Sequence, residues 1–160
     1  MNMNQLRNLK DLIDFSAEMY GEKIAIRTKQ KKEIIDKSYI ALKADSEAFS
    51  RTLEKYALRG KHVALLGPTS YEWIVGYFGT VNSGGVVVPI DKELPAADIC
   101  DELHRADVEV LVYDSSYADI AAQVRRDCPQ VTSYFEMQRE AHGEDVWSLR
   151  RCLEENCGAF

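Results

Sequence analysis

Apolar residues in the middle of this chain come in blocks rather than alternating one by one with polar residues. Three short runs rich in β-branched residues, His62–Gly67, Val86–Asp91 and Val108–Asp114, are separated by amphipathic segments. The runs start about 22 to 24 residues apart, which suits strand–helix units with short connections. Strands that are apolar throughout are buried on both faces, as in a parallel sheet covered by helices. The pattern predicts an α/β fold, a Rossmann-like three-layer αβα core with a mainly parallel sheet, to which the run Val131–Phe135 adds a strand.

The N-terminal part predicts a helix followed by a β-hairpin. The segment Leu6–Tyr20 is amphipathic and ends at Gly21, a residue free to take a positive φ. We expect this helix to pack one stripe on the core, made of Leu9, Leu12, Ile13, Ser16 and Tyr20. The segments Lys23–Arg27 and Glu33–Lys37 flank the basic stretch Thr28–Lys32, which is typical of a hairpin with a solvated turn.

Capping residues predict where the next helices begin. Ser38 is a candidate N-cap for a helix over Tyr39–Leu58. Thr69 and Glu72 form the capping-box pattern, in which Thr69 accepts from the backbone and Glu72 reaches back. The helix that follows is apolar almost all round, so we expect its large side chains to be buried in the core: Trp73, Ile74, Tyr77, Phe78 and Val81.

The second half of the chain contains two prolines and a further capping pattern. Pro89 is expected to end the hydrogen-bonded ladder of its strand, because it has no N–H to donate. Pro95 marks the start of a helix with Ile99 and Leu103 on its inward stripe. Ser116–Asp119 reads as a second capping box, and a last helix is predicted over Glu144–Asn156.

Length and composition predict one soluble domain. The chain has 160 residues, of which 46% are hydrophobic, enough for a packed core. We expect residues 1–160 to form a single domain: residues 1–60 an opening helix–hairpin–helix segment, residues 61–135 the parallel α/β core, and residues 136–160 a terminal helix. The net charge of −6 disfavours binding to nucleic acid or to anionic membranes, since both require a positive surface.

Neither a membrane span nor a metal site is predicted. No apolar run reaches the length of about 20 residues that a spanning helix needs, and Met1–Arg7 lacks an apolar signal segment. Four cysteines lie far apart, without the spacing of a zinc site, so we expect reduced thiols in a cytoplasmic protein: Cys100, Cys128, Cys152 and Cys157. The three histidines are also scattered, at His62, His104 and His142, and we expect His62 to be structural rather than a base.

The ends of the predicted strands are the places where a ligand would bind in such a fold. The stretch Gly67–Tyr71 follows the first core strand but does not match a dinucleotide-binding or phosphate-loop motif. Asp91, Glu93 and Asp114 lie near strand ends, where we expect them to form turns and caps. A small enzyme that uses Gly67, Asp91 and Asp114 is an alternative.

A basic cluster in the hairpin turn is a second candidate for ligand binding. It comprises Lys29, Lys31 and Lys32. These residues could hold a phosphate, but nothing in the sequence fixes their geometry, so a solvated turn is the expected role.

Several motifs, taken in order, resemble the N-terminal part of the adenylate-forming ligases, which include acyl-CoA synthetases, luciferases and peptide-synthetase adenylation domains. Lys23–Ile26 resembles their opening strand, and Ser38–Leu42 their Thr-Tyr-x-Glu-Leu motif, with Ser and Ala at two of its positions. Thr80–Asp91 is similar to their Lys-Ala-Gly-x-x-x-x-Pro-Leu-Asp motif. Leu66–Trp73 and Lys92–Pro95 resemble the long-chain acyl-CoA synthetases in particular.

This resemblance implies a parent enzyme that joins a carboxylate to AMP from ATP with Mg²⁺ and then transfers the acyl group to CoA. Its phosphate loop, its nucleotide-binding residues and its catalytic lysine would all lie beyond this chain. We therefore expect no catalytic, cofactor-binding or metal-binding residues here, and no ligase activity from the chain alone. The motif residues are expected to be structural: Ser38, Tyr39, Gly84, Gly85, Pro89 and Asp91.

The resemblance also implies partners, namely the remaining subdomains of the parent and a small-molecule carboxylate. An unpartnered subdomain is expected to expose an apolar face and to self-associate, so a homo-oligomer is expected. In the parent, the helix that contains Trp73 would be core or would face the acyl groove. The alternative is a stand-alone Rossmann-like binding or interaction module without catalysis.

Overall fold

The computed structural model, which describes residues 2–158, contains a five-stranded sheet, a hairpin and six α-helices within that range. The helices are α1 Leu9–Tyr20, α2 Tyr39–Lys55, α3 Tyr71–Asn82, α4 Ala96–Arg105, α5 Ala118–Asp127 and α6 Leu149–Asn156. The strands are β1 Ile24–Gln30, β2 Glu33–Ser38, β3 His62–Leu66, β4 Val86–Ile90, β5 Val110–Tyr113, β6 Ser133–Glu136 and β7 Trp147–Ser148. Short 3₁₀ turns at Met3–Gln5 and Ser115–Tyr117 complete the described elements.

The sheet has the strand order β4-β3-β5-β6-β7, and all four pairings are parallel. Val63 and Leu65 of β3 face a core shared with α1, α2, α3 and α6, while Ala64 and Leu66 face a second core shared with α4 and α5. All four side chains are fully buried, as expected for a strand covered on both faces. The predicted three-layer αβα fold with a parallel sheet, including its fourth strand, is confirmed.

The N-terminal elements differ from the prediction in detail. Strands β1 and β2 form the expected antiparallel hairpin, but Gln30 pairs with Glu33, so the turn is Lys31–Lys32 and not Thr28–Lys32. Lys31 has a φ of 55°, a value that tight hairpin turns require. The predicted basic stretch is therefore mostly strand.

Helix α1 begins at Leu9, because the Asn8 side chain caps it by accepting from the Asp11 N–H. The predicted stripe was wrong in part: Leu9, Leu12 and Tyr20 are exposed, whereas Ile13 is buried as expected. The remaining buried positions of α1 are Asp11, Phe15 and Ala17. The helix is thus rotated relative to the predicted face.

Helix α2 begins as predicted, because the Ser38 hydroxyl accepts from the Ala41 N–H over 3.1 Å. It ends at Lys55 rather than at Leu58. Ala57 takes a φ of 59°, and the Leu58 N–H donates back to the Leu53 carbonyl, which closes the helix end.

Helix α3 is capped by Ser70 and not by Thr69, so the predicted capping box was wrong. The Ser70 hydroxyl accepts from the Trp73 N–H over 3.1 Å, while Thr69 is exposed. Glu72 does not reach back to the cap; its carboxylate is 3.3 Å from the Arg150 guanidinium of α6.

The substitution Ser70→Ala is expected to lower the free energy of unfolding by about 1 kcal/mol, because it leaves an N–H at the start of α3 without its acceptor. Thr69→Ala is the matched control, with an expected change within about 0.5 kcal/mol. Urea unfolding of both variants measures the difference, and a larger loss in Thr69→Ala would contradict the assignment.

The large residues of α3 are not buried as predicted. The positions buried against α2 and the sheet include the small residues Gly76, Gly79 and Thr80. The residues expected in the core are only half-buried on the opposite side of the helix: Trp73, Ile74, Tyr77, Phe78 and Val81. Small side chains let α3 lie close to its neighbours, while Trp73, Ile74, Tyr77 and Phe78 pack at the border of the same core.

Three later predictions also need correction. Pro89 does not end the ladder, since it pairs in register with Leu65 and β4 continues to Ile90. The second capping box is absent from the described helix α5, whose N-cap Tyr117 makes no side-chain cap; Asp114 caps the preceding 3₁₀ turn. The last helix begins at Leu149, because Trp147–Ser148 adds a short fifth strand beside β6. Ile99 and Leu103 of α4 are fully buried as predicted.

Candidate functional site

The carboxyl ends of β3 and β5 meet in a tight contact between two loops. Gly67 has a φ of 140°, and a Cβ built on it would lie 2.5 Å from the Asp114 Cβ. The Asp114 N–H donates to the Leu66 carbonyl over 2.9 Å. Its carboxylate accepts at Oδ1 from the Ser116 N–H over 2.9 Å and at Oδ2 from the Gln138 side-chain amide over 3.0 Å. Asp114 is a capping residue, as predicted, and both of its oxygens are engaged.

The loop after β4 is a turn with its own hydrogen bond. Asp91 Oδ1 accepts from the Glu93 N–H over 2.9 Å, and the exposed Glu93 carboxylate lies 2.5 Å from Lys92 Nζ. The turn-forming role expected for Asp91 and Glu93 is confirmed. Together with Asp114, these carboxylates are used in shaping the loops at this edge of the sheet.

The motif residues at the two ends of β4 and at the start of α2 also make structural contacts. Ser38 caps α2, and the Tyr39 ring lies 5.0 Å from the Tyr20 ring. The Gly85 N–H donates to the Thr80 carbonyl at the end of α3, and this bond brings the helix end against the start of β4.

A cleft lies between the hairpin and the carboxyl edge of the sheet, and the sequence analysis missed it. Its volume is about 560 Å³. Thr28–Gln30 of β1 line one side, Thr69–Glu72 at the start of α3 line another, and the loops that contain Asp114 and Gln138 close the end. Arg150 also lines it. This is the edge at which parallel α/β sheets bind ligands.

The charges in this cleft are partly paired. Arg150 of α6 lies 3.3 Å from Glu72, whose side chain is 10% exposed. Lys29 of β1 is exposed and is one of the residues that line the cleft, so this candidate for phosphate binding does border a concave site. Lys31 and Lys32 lie in the exposed turn of the hairpin and do not line it.

A smaller cavity of about 360 Å³ adjoins the cleft between the hairpin and α6. The Tyr71 hydroxyl donates to Asp45 of α2 over 2.5 Å, and Lys37 of β2 lies 5.0 Å from the centre of the Tyr71 ring. Burial, followed by the hydrogen bond to Asp45, raises the pKa of Tyr71 well above its ordinary value. The phenol therefore stays protonated and acts as a fixed donor that ties α3 to α2.

The histidines do not come together, but two of the cysteines meet, since Cys128 Sγ lies 3.7 Å from the Cys100 carbonyl oxygen. His62 Nδ1 is 2.7 Å from the Ala106 carbonyl, and His142 lies beside Glu155 at 3.3 Å. All four cysteines are free, and burial raises the pKa of Cys100 and of Cys152 to about 12. Within residues 2–158, no group of three or more His, Cys, Asp or Glu side chains could hold a metal ion. In the same range, no helix is both long and apolar enough to cross a membrane.

Comparison with known proteins finds similar sequences, several of which are named as CoA ligases. The chain is 26% identical over 131 residues to the dapdiamide synthesis protein DdaD of Enterobacter agglomerans, an alignment that covers 76% of this chain and 21% of that protein. It is 28% identical over 126 residues to the crotonobetaine/carnitine–CoA ligase of Salmonella typhi, covering 76% of this chain and 24% of that protein. The chain thus spans about a quarter or less of the length of these curated relatives.

Solved structures have the same fold. The crystal structure of the anthranilate CoA ligase AuaEII, in complex with anthranoyl-AMP, superposes with a TM-score of 0.82 and 19% sequence identity. The match covers 98% of this chain and 30% of that one. The sequence pattern of the AMP-binding enzyme family matches residues 13–153, nearly the whole described chain. This chain therefore belongs to the AMP-binding enzyme family of adenylate-forming ligases.

Proposed function

We propose that this chain is the N-terminal part of an ATP-dependent acyl-CoA synthetase and serves there as a scaffold for the acyl and nucleotide sites. In the proposed reaction, a carboxylate oxygen attacks the α-phosphorus of ATP, and the bond to the β-phosphate breaks with release of pyrophosphate. The CoA thiolate then attacks the acyl carbon, and AMP leaves. Long-chain fatty acids are the proposed substrates, on the strength of the motifs around Leu66–Trp73 and Lys92–Pro95.

The scaffold role rests on one observation: most of the charged side chains at the carboxyl edge of the sheet are already paired with other groups of this chain. Joining an anion to a triphosphate requires positive charges and amide dipoles aimed at the reacting oxygens. Asp91 is engaged within its own loop, Asp114 is engaged by its own loop and by Gln138, and Arg150 is paired with Glu72. The chain contributes one wall of the cleft and the exposed Lys29. The groups that stabilise charge on the α-phosphate of ATP must therefore come from other parts of the parent.

We propose no Mg²⁺ site among residues 2–158. Mg²⁺ takes carboxylate oxygens and waters in an octahedral arrangement. The edge carboxylates already accept hydrogen bonds from backbone and amide donors, and no described cluster of three or more acidic, His or Cys side chains has a metal-binding arrangement. We therefore assign neither Mg²⁺ nor a catalytic role to any residue here.

We further propose that residues 1–160 fold as one subdomain of a cytoplasmic parent, with residues 1–60, 61–135 and 136–160 as its opening segment, α/β core and terminal helix. Residue 1 of the opening segment and residues 159 and 160 of the terminal segment lie outside the described residues. Its proposed partners are the remaining subdomains, which would approach the cleft between the hairpin and the start of α3.

The experiment is carboxylate-dependent exchange of radiolabelled pyrophosphate into ATP, measured with the purified 160-residue chain and with short- to long-chain fatty acids. A full-length crotonobetaine/carnitine–CoA ligase with its own substrate is the positive control. We expect the chain to exchange no more label than a buffer blank, because it lacks the charge-stabilising groups. Exchange that stays with the chain through successive purification steps would contradict the scaffold role and favour a small enzyme working at Gly67, Asp91 and Asp114.

A further inference from the structure

Two of the four cysteines lie together on the side of the sheet that α4 and α5 cover. Cys100 is on α4, and Cys128 is the residue that ends α5. Cys128 is 3% exposed and belongs to the core between these helices and the sheet, and the half-buried Cys100 packs against that core. Cys128 Sγ lies 3.7 Å from the Cys100 carbonyl oxygen. The two residues are 28 positions apart in the sequence, so the tertiary fold makes this contact.

The contact also involves the two thiol groups. Burial, followed by a side-chain hydrogen bond with Cys128, raises the pKa of the Cys100 thiol to about 12. Such a bond requires the two sulfur atoms to be neighbours. Helices α4 and α5 pack against each other, so both backbones hold the pair in place. Two sulfur atoms that already meet are the first requirement of a disulfide.

The surroundings of the pair keep both thiols protonated. The charged groups that act on Cys100 are Asp127 and Asp101, and both raise its pKa further. Nearby, the Tyr134 hydroxyl is buried and has no hydrogen-bond partner among the described residues. Burial raises the pKa of Tyr134 to about 12, and Cys128 and Cys100 contribute to the rise. Because the thiolate is the reactive form, the pair is suited to slow oxidation and not to rapid turnover.

We propose that Cys100 and Cys128 form an oxidation site, at which a low-molecular-weight disulfide converts the two thiols into one disulfide that joins α4 to the end of α5. The pair stays reduced where no such oxidant is present. This role is separate from the proposed ligase function, because neither cysteine lines the cleft at the carboxyl edge of the sheet.

The reaction takes place in two exchange steps. Cys100 reacts first, because it is half-buried whereas Cys128 is buried. Its thiolate attacks one sulfur of the reagent, the reagent S–S bond breaks, and the departing thiolate takes up the proton that Cys100 lost. The Cys128 thiolate then attacks the Cys100 sulfur of this mixed disulfide, and the second reagent thiolate leaves with the proton of Cys128. Two protein thiols are oxidised, and one reagent disulfide is reduced to two thiols.

The test is incubation of the folded chain with glutathione disulfide at mildly alkaline pH, followed by acid quenching, trypsin digestion and mass spectrometry without reduction. The Cys157→Ser variant serves as the reference protein, because the exposed Cys157 would otherwise link two copies. We expect one new species, in which peptides 93–105 and 127–139 are joined and two hydrogen atoms are lost. Both protein thiols should disappear together.

Two further variants, made in the Cys157→Ser protein, distinguish a specific contact from general thiol reactivity. Cys100→Ser is expected to abolish the linked peptides. Cys152→Ala is the matched control, because Cys152 is fully buried in the other core, and it should leave the linked peptides unchanged. A folded reference protein that keeps both thiols, or that stops at a glutathione adduct on Cys100, would overturn the proposal. So would equal amounts of links that involve Cys152.

Thermal unfolding gives a second, independent outcome. The bond would close a loop over residues 100–128, and a closed loop lowers the entropy of the unfolded chain. We expect the oxidised protein to melt roughly 5–10 °C above the same sample treated with dithiothreitol. A melting temperature that falls on oxidation would also overturn the proposal, because it would mean that the two sulfur atoms meet only when the helices are displaced.

Discussion

Alanine in place of Phe49 is expected to lower the free energy of unfolding by about 3–5 kcal/mol. Phe49 is fully buried on α2, meets the Phe135 ring of β6 edge to face at 5.4 Å, and packs against Gly79 of α3. Because this one side chain joins two helices to the sheet, its removal leaves a cavity that no single neighbour can fill. Urea unfolding followed by circular dichroism measures the loss.

Met19→Ala is the control for this measurement, since it makes the same kind of truncation on a helix but at a side chain that is 58% exposed. We expect it to change the free energy of unfolding by less than about 0.5 kcal/mol. If Phe49→Ala also cost less than about 1 kcal/mol, the packing of α2 between α3 and β6 would be wrong.

Gly67→Ala is expected to destabilise the chain by roughly 2–5 kcal/mol. The backbone at Gly67 has a φ of 140°, which an L side chain rarely adopts, and the added Cβ would lie 2.5 Å from the Asp114 Cβ. Both the strain and the clash fall on the loop that Gln138 braces through Asp114. Beyond the loss of stability, we expect faster amide hydrogen exchange in the loop after β5.

Gly60→Ala separates the two causes. Gly60 also has a positive φ, 75°, but a Cβ there would meet nothing within 4 Å. It is expected to cost about 1 kcal/mol from strain alone. Equal losses in the two variants would show that the contact between Gly67 and Asp114 is looser than described.

The sheet was predictable because its signal is local. In β3, every residue of Val63–Leu66 is apolar, and the chain alternates such runs with helical segments of suitable length. Ser38 was equally predictable as a cap, since it is the polar residue directly before an apolar helical pattern.

The start of α3 was mispredicted because its sequence allows two caps and a distant partner decides between them. Thr69 and Ser70 are both good N-caps, and Glu72 completes the capping box only for Thr69. In the fold, Glu72 pairs with Arg150, which is 78 residues away in the sequence, so the local motif loses its second half. Composition also could not show which side of α3 faces the core, because small residues that permit close approach were buried in place of larger apolar ones.

The cleft at the carboxyl edge was out of reach of the sequence for the same reason. Its walls combine the hairpin, the start of α3 and the Gln138 loop, three segments brought together only by the tertiary fold. The sequence predicted correctly that Asp91 and Asp114 would shape loops, since each carboxylate can accept a hydrogen bond from the backbone N–H two residues further along the chain. The bond from Gln138 to Asp114 could not be foreseen.

The most direct measurement of the central claim is the DNA sequence of the gene past the codon for Phe160. If this chain is the scaffold part of an adenylate-forming ligase, the reading frame continues, and within a few dozen codons it encodes a loop rich in Ser, Thr and Gly that ends near a Lys. A stop codon directly after the codon for Phe160 would contradict the claim and would favour the alternative that the chain is a stand-alone binding or interaction module.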